Sequence, residues 1–230
     1  MEKDLVEKIR SKAHWRVVIR PTEFKANRID SLGKCKQTIE SSRILLRGWD
    51  YPHLDQIRPD RDWVESSCDW EQGGHLEYWR FYQSGQFVHL RAAFEEYREL
   101  PWTRSPRPTP DRYLEYVGVL YSMTEIFEFA ARLARQDILR PNALVEIELN
   151  DMKERELTSW HSVWGLEGYV SQTPQITYQL TLPHTEIVAR SADLAIDASV
   201  AVYERFGWFD PPRGELVEQQ KKLVERRLGV

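Results

Sequence analysis

The run Arg47-Gly48-Trp49-Asp50-Tyr51-Pro52-His53 puts a cation, two aromatics, a carboxylate and an imidazole within seven residues, where a short apolar stretch gives way to a loop. Such loops carry recognition more often than the elements they join. In a binding role Trp49 and Tyr51 supply stacking surface, Arg47 takes an anion or a carboxylate, and Asp50 orients His53. In a structural role Arg47 pairs with Asp50 and the aromatics cover the end of a sheet. A second run, Glu77 to His89, reads as an aromatic hairpin in which Tyr78, Arg80 and Tyr82 share one face and Gln86 and His89 follow on the return arm. That face is a basic, aromatic platform on which single-stranded bases can stack, but the same alternation also serves an ordinary sheet packed on a helix.

Thr124, Glu125 and Glu128 lie on a helical pattern with Arg132 four residues beyond Glu128, which predicts a Glu128–Arg132 surface pair. A carboxylate of this group turned inward beside His53 or His89 would instead have a raised pKa and suit acid or base work. The segment Arg205 to Pro212 (RFGWFDPP) ends a helix on glycine, and its Trp208 either plugs the core or anchors a partner protein.

The motifs of familiar enzymes are missing. The one Gly-Lys pair, Gly33-Lys34, is followed by Cys35 and has Arg28 where a phosphate loop needs its first glycine. There is no GxGxxG, HExxH or GxSxG, and His75-Leu76-Glu77 has no PCxxC to complete a zinc deaminase pattern. No cofactor and no metal are implied.

The elements that must position these residues follow from periodicity. Leu5, Val6 and Ile9 mark a short opening helix, Trp15 to Ile19 a strand, and Asp30 or Ser31 caps a helix carrying Leu32, Cys35 and Ile39. Arg43 to Arg47 is expected as a second strand, giving a βαβ passage. Trp63–Trp70, His75–Gln83 and Gln86–Ala93 read as strands, the last two joined by a two-residue turn at Ser84-Gly85. Four prolines between Leu100 and Pro110 mark a linker. From Asp111 to about Gln136 runs the strongest helix, followed by strands at Ala143–Leu149, Ser159–Gly165 and Ile176–Leu182 and by helices at Ser191–Phe206 and Glu215–Leu228. The expected fold is therefore α+β, a mixed or mainly antiparallel sheet on a long central helix with two loosely similar α/β halves. We read residues 1–230 as a single domain with lobes 13–100 and 111–230 joined by 101–110.

The 230 residues carry 32 Lys and Arg against 36 Asp and Glu, a net charge of −4, so binding to phosphate backbones over the whole surface is not expected and only a local basic patch remains for nucleic acid. Two cysteines 33 residues apart fit neither a metal knuckle nor a disulfide scaffold. With a charged N-terminus and no run of about 18 apolar residues, a cytoplasmic location without membrane contact is expected.

Together, WRVVIRPTEF, RILLRGWDYPH, EYWRFYQSGQFVH, MTEIFEFAARL and YERFGWFDPP resemble a bacterial family of uncharacterised domains. That family is often found C-terminal to Schlafen-type AlbA_2 putative DNA-binding domains. The resemblance covers most of Trp15 to Pro212 and implies a nucleic-acid-linked or defence-related setting. This chain has only a short helix before Trp15 where those proteins carry the AlbA_2 part, so neither DNA binding nor catalytic residues are carried over.

The reading favoured by the residues is a non-enzymatic accessory or sensor module that recognises a protein partner, a second copy of itself or a small ligand. Its expected surface joins Arg47 to His53 with the Tyr78 to His89 hairpin. One alternative is sequence-tolerant nucleic-acid binding through Arg47, Tyr78, Arg80, Arg104 and Arg107. Another is a hydrolase or nuclease assembled from His53, His89, Asp50 and Glu125, which requires those groups to converge.

Overall fold

A computed structural model describes residues 2–97, 112–159 and 168–226. In α1 (Glu2–Arg10), Leu5 and Ile9 are one turn apart and bury against the sheet. The β-branched run of β1 (His14–Pro21) places Trp15, Val17 and Ile19 in the main core. Ser31 caps α2 (Leu32–Ser42): its hydroxyl accepts the N–H of Lys34 at 3.2 Å, so the cap is Ser31 and not Asp30.

The strand expected over Arg43–Arg47 shrinks to β2 (Ile44–Leu45), which pairs only with β3 (Asp50–Tyr51) and stays outside the main sheet. Gly48, at φ 77°, turns the run back on itself at once, and the expected βαβ passage does not form. An antiparallel meander follows: β4 (Arg58–Asp60), β5 (Trp63–Trp70), β6 (His75–Tyr82) and β7 (Phe87–Ala92). The β6–β7 turn has three residues, not two. Gly85 at φ 85° donates its N–H to the Tyr82 carbonyl, and Tyr82 donates to the Gln86 carbonyl, both at 2.9 Å.

The long helix starts later than its apolar spacing predicts. Asp111 lies outside the described residues. Tyr113–Glu115 form a short strand, β8, before α3 (Tyr116–Arg135), whose first turn is capped by the Glu115 carboxylate on the N–H of Gly118. The strand β9 (Asn142–Asn150) is followed by β10 (Glu156–Thr158), which pairs in parallel with β8. Most of the strand expected over Ser159–Gly165, residues 160–165, lies outside the described residues. Then come β11 (Gln175–Pro183), α4 (His184–Glu204), which begins before the predicted Ser191 and kinks at Arg190, and α5 (Arg213–Val224).

The fold is α+β. Seven strands run in the order β11-β9-β1-β7-β6-β5-β4 with every neighbouring pair antiparallel. Because β1 pairs with β7 on one side and β9 on the other, strands from both halves of the sequence make one continuous sheet. The linker 101–110 lies outside the described residues. Odd-numbered residues of β6 and β7, among them Trp79, Phe81 and Phe87, face the main core with α3, whereas Leu76, Tyr78 and Leu90 face α1. Phe129 of α3 sits at the centre of that core, 4.7 Å from Phe87 and 5.7 Å from Tyr51 between ring centroids. Phe129→Ala should cost about 3 to 5 kcal/mol of stability in urea unfolding; a loss below about 1 kcal/mol would contradict this packing.

Candidate functional site

At one end of α3 the core face of the sheet opens into a cleft of about 790 Å³. Trp15 and Arg91 come from the sheet, Arg47 to Tyr51 from the β2–β3 ribbon, Trp70 to His75 from the β5–β6 turn, Tyr121, Ser122 and Glu125 from α3, and Lys222 from α5. A smaller pocket of about 480 Å³ lies beside β2. There Glu128 accepts the Ser191 hydroxyl and Arg132 donates to the Arg43 carbonyl. The predicted Glu128–Arg132 pair is replaced by these two contacts.

One buried carboxylate holds the cleft wall. Glu77 accepts the backbone N–H of His53 at 2.7 Å on Oε1 and the His75 Nε2–H at 2.7 Å on Oε2. His89 Nε2 also lies 3.0 Å from Oε1, off the hydrogen-bonding direction. Burial opposes ionisation of Glu77, but the His89 and His75 rings outweigh it and hold the carboxyl well below the usual carboxylate range. Burial pushes His89 below the ordinary histidine value against the pull of Glu77. The His53 carbonyl accepts the indole N–H of Trp79 at 2.8 Å, so this residue is held at both backbone polar groups. Its ring Nδ1 bonds Asp50 Oδ1 at 2.7 Å, and Asp50 Oδ2 takes the N–H of Leu54.

Over this frame lies an aromatic stack. Trp49 stands 4.6 Å from His53 at 27° and 5.8 Å from Trp70 at 11°, with His75 tilted against it at 4.6 Å. Trp70 lies so close to the backbone of Gly73 that any Cβ there would overlap its ring. Trp70 remains half exposed, as does Phe94.

Beneath the stack Arg47 grips Glu125 with both a Nε–H bond to Oε1 at 3.1 Å and an Nη2 bond to Oε2. The default pairing of Arg47 with Asp50 is therefore not the one adopted. Glu125 is 2% exposed, and removing its cation would strand a buried charge. The Ser122 hydroxyl accepts from Arg47 Nη2 at 3.4 Å and from Arg91 Nη2 at 2.9 Å. Glu95 accepts the N–H of Glu115 at 3.0 Å, and burial raises its carboxyl above the usual range despite that bond and the charges of Arg155 and Arg91. Two lining residues carry buried donors without an acceptor among the described residues, the Tyr51 hydroxyl and the Trp49 indole N–H. Burial pushes the Tyr51 phenol well above its ordinary pKa, so the hydroxyl keeps its proton.

The cleft thus unites Arg47, Trp49, Asp50 and Tyr51, with His53 stacked behind Trp49. It does not unite them with the hairpin platform. Tyr78 and Arg80 occupy the opposite face of β6, where both bind Glu65 at 2.7 and 2.8 Å and Arg80 lies 4.6 Å over the Trp63 ring. Tyr82 joins this outer cluster 5.5 Å from Trp63, and the Gln86 backbone closes the turn. His89 is 1% exposed in the core between Tyr51 and Phe87. Trp208 packs among Tyr116, Tyr169 and Tyr203 at 5.3 to 5.9 Å, the core-plugging alternative. Arg104 and Arg107 lie outside the described residues. Sequence reasoning missed Arg91, Ser122, Glu95, Glu115, Trp70 and Gly73; a usable signal existed only for the last two, a tryptophan ending a strand just before Gly73-Gly74.

No three or more His, Cys, Asp or Glu of the described residues are grouped to hold a metal ion, and none of the described helices is long and apolar enough to cross a membrane. Burial lifts the Cys35 and Cys68 thiols to about 11 each, which keeps them out of thiolate chemistry near neutrality. No protein-family model matches the chain, and no curated protein and no solved structure matches it significantly.

The Glu77 cluster has a pH signature. His89 and Glu77 both sit below their ordinary values of 6.5 and 4.5, so the unfolded chain takes up these protons first. The stability they confer is complete above about pH 6.5, declines as His89 of the unfolded chain protonates, and declines again below about pH 4.5 until Glu77 protonates in the folded state. Urea midpoints measured from pH 7.5 to 3.5 should fall accordingly, and Glu77→Gln should flatten the lower limb while deepening the His89 limb, since it removes the carboxylate that pulls the His89 pKa upward. A midpoint that rises between pH 7 and 5 would contradict the assignment.

Proposed function

We propose that the chain is a recognition module for a small ligand and that the cleft between β7, the β2–β3 ribbon and the start of α3 is its binding site. The observation that carries this reading is the pair of buried donors on the cleft wall, Tyr51 Oη and Trp49 Nε1, with no acceptor among the described residues. A buried donor left unmade costs about 1 to 3 kcal/mol, and because neither donor atom has accessible surface, an acceptor that displaces the side chains over it would recover that cost. The cleft volume is in the range of small-molecule sites, which commonly span roughly 300 to 1,000 Å³. Its wall is pre-formed, because Glu77, Asp50 and Gly73 hold the Trp49–Trp70 stack from behind.

The other readings draw less support. Arg47 and Arg80 are each neutralised by a carboxylate, on opposite faces of the sheet, which is a poor track for a phosphate backbone. Of the groups named for hydrolysis, only Asp50 and His53 meet; Glu125 is bound to Arg47 and His89 is in the core. Trp208 is packed among tyrosines, which weakens it as a protein-partner anchor, although the adjacent Phe209 is exposed.

The test is a fragment screen followed through the tryptophan indole N–H resonances of the ¹⁵N-labelled chain, with Trp49→Phe, Trp70→Phe and Trp208→Phe assigning the three signals that matter. Fragments that shift Trp49 and Trp70 while leaving Trp208 in place are the expected result. A screen that moves none of them, or moves only Trp208, would overturn the reading.

A further inference from the structure

We infer that Arg91 is the anion-binding residue of the cleft and that the ligand class is a small molecule joining an anionic oxygen group, carboxylate or phosphate, to an apolar ring. This rests on the ligand-recognition reading above and narrows it.

Among the buried and partly buried arginines, Arg16 pairs with Glu146 and Glu148, Arg47 with Glu125, Arg80 with Glu65, and Arg155 with Glu96 and Asp151, whereas Arg20, Arg28 and Arg132 donate to backbone carbonyls. Arg91, partly buried on the cleft floor, forms no ion pair with any described carboxylate, and its side-chain bond is to the neutral Ser122 hydroxyl at 2.9 Å. A guanidinium has five N–H donors, so most of the donors of Arg91, a residue lining the cleft, have no acceptor among the described residues.

The neighbouring carboxylates are each engaged elsewhere. Glu77 stands directly across from Arg91 in the β6–β7 register, but its oxygens are taken by His75, the N–H of His53 and the contact with His89. Glu125 is gripped by Arg47, and Glu115 caps the N–H of Gly118. Glu95 accepts the N–H of Glu115, and burial raises its carboxyl above the usual range. None of these carboxylates forms an ion pair with Arg91, and Ser122, which also accepts from Arg47, accepts from its guanidinium. A fixed fork of donors is the geometry that binds carboxylate and phosphate bidentately. The Tyr51 and Trp49 donors on the same lining suit further ligand oxygens, while Trp70, Phe94 and Tyr121 give the apolar wall that a ring would cover.

Isothermal titration with four probes tests this: phenyl phosphate, phenylacetate, the neutral benzyl alcohol and inorganic phosphate. The wild-type chain should bind at least one of the two ring-bearing anions at least tenfold more tightly than benzyl alcohol and than inorganic phosphate, and the tighter of the two anions identifies the headgroup. Arg91→Gln should weaken that anion at least tenfold and leave benzyl alcohol unchanged, with Arg91→Lys intermediate. Should Arg91→Gln fail to fold by circular dichroism, Arg91→Lys and the charge preference of the wild type decide. Equal binding of the neutral probe, no binding of either ring-bearing anion, or anion affinity untouched by Arg91→Gln would overturn the assignment. Neutral fragments that still shift Trp49 and Trp70 would then leave the ligand-recognition reading standing, whereas silence from every fragment and every probe would end both.

Discussion

An ionised carboxylate inside a protein must be given donors or it will not stay ionised. Glu77 obtains two of them from histidines distant in sequence, the backbone N–H of His53 and the ring of His75, with the His89 ring lying alongside at 3.0 Å. Meeting that one requirement ties the β2–β3 ribbon to the start of β6 and to the middle of β7. The Trp49 stack follows from it, because Trp49 rests on the rings of His53 and His75, both held by this carboxylate.

The second constraint is the two-residue period of a strand. The run from His75 to Tyr82 looks in sequence like one continuous aromatic surface. Folding divides it: His75, Glu77, Trp79 and Phe81 build the core and the cleft wall, while Tyr78, Arg80 and Tyr82 join Trp63 and Glu65 on the far side. Two charged clusters of similar composition, Arg47 with Glu125 and Arg80 with Glu65, thus end on opposite faces of one sheet with different settings. The first shares Ser122 with Arg91 at a cleft, and the second is sealed by cation–π contact with Trp63.

How much of this was legible in the sequence depended on range. Strand alternation in β1, β6 and β7, the Ser31 cap and the apolar stripe of α3 are local patterns, and each located its element. Arg47 to His53 stood out because its unusual residues are adjacent. Arg91, Ser122 and Glu95 did not, because their meaning comes from partners such as the Arg47–Glu125 pair, 78 residues apart, and the Arg91–Ser122 pair, 31 apart. Two elements departed from pattern for tertiary reasons. Tyr113–Glu115 match the spacing of the helix that follows, yet they extend to pair with β10, and the apolar run at Ile44–Leu45 is turned out of the main sheet by the left-handed Gly48.

On the proposed reading, an acceptor-bearing ligand completes the cleft by engaging donors that have no acceptor among the described residues. A crystal structure of the chain grown with phenyl phosphate tests it most directly. Density for the phosphate is expected within hydrogen-bonding distance of the Arg91 guanidinium, with the Ser122 bond kept and the ring against Trp70 and Phe94. An empty cleft with the anion bound elsewhere, or an Arg91 side chain folded onto one of the neighbouring carboxylates, would contradict it.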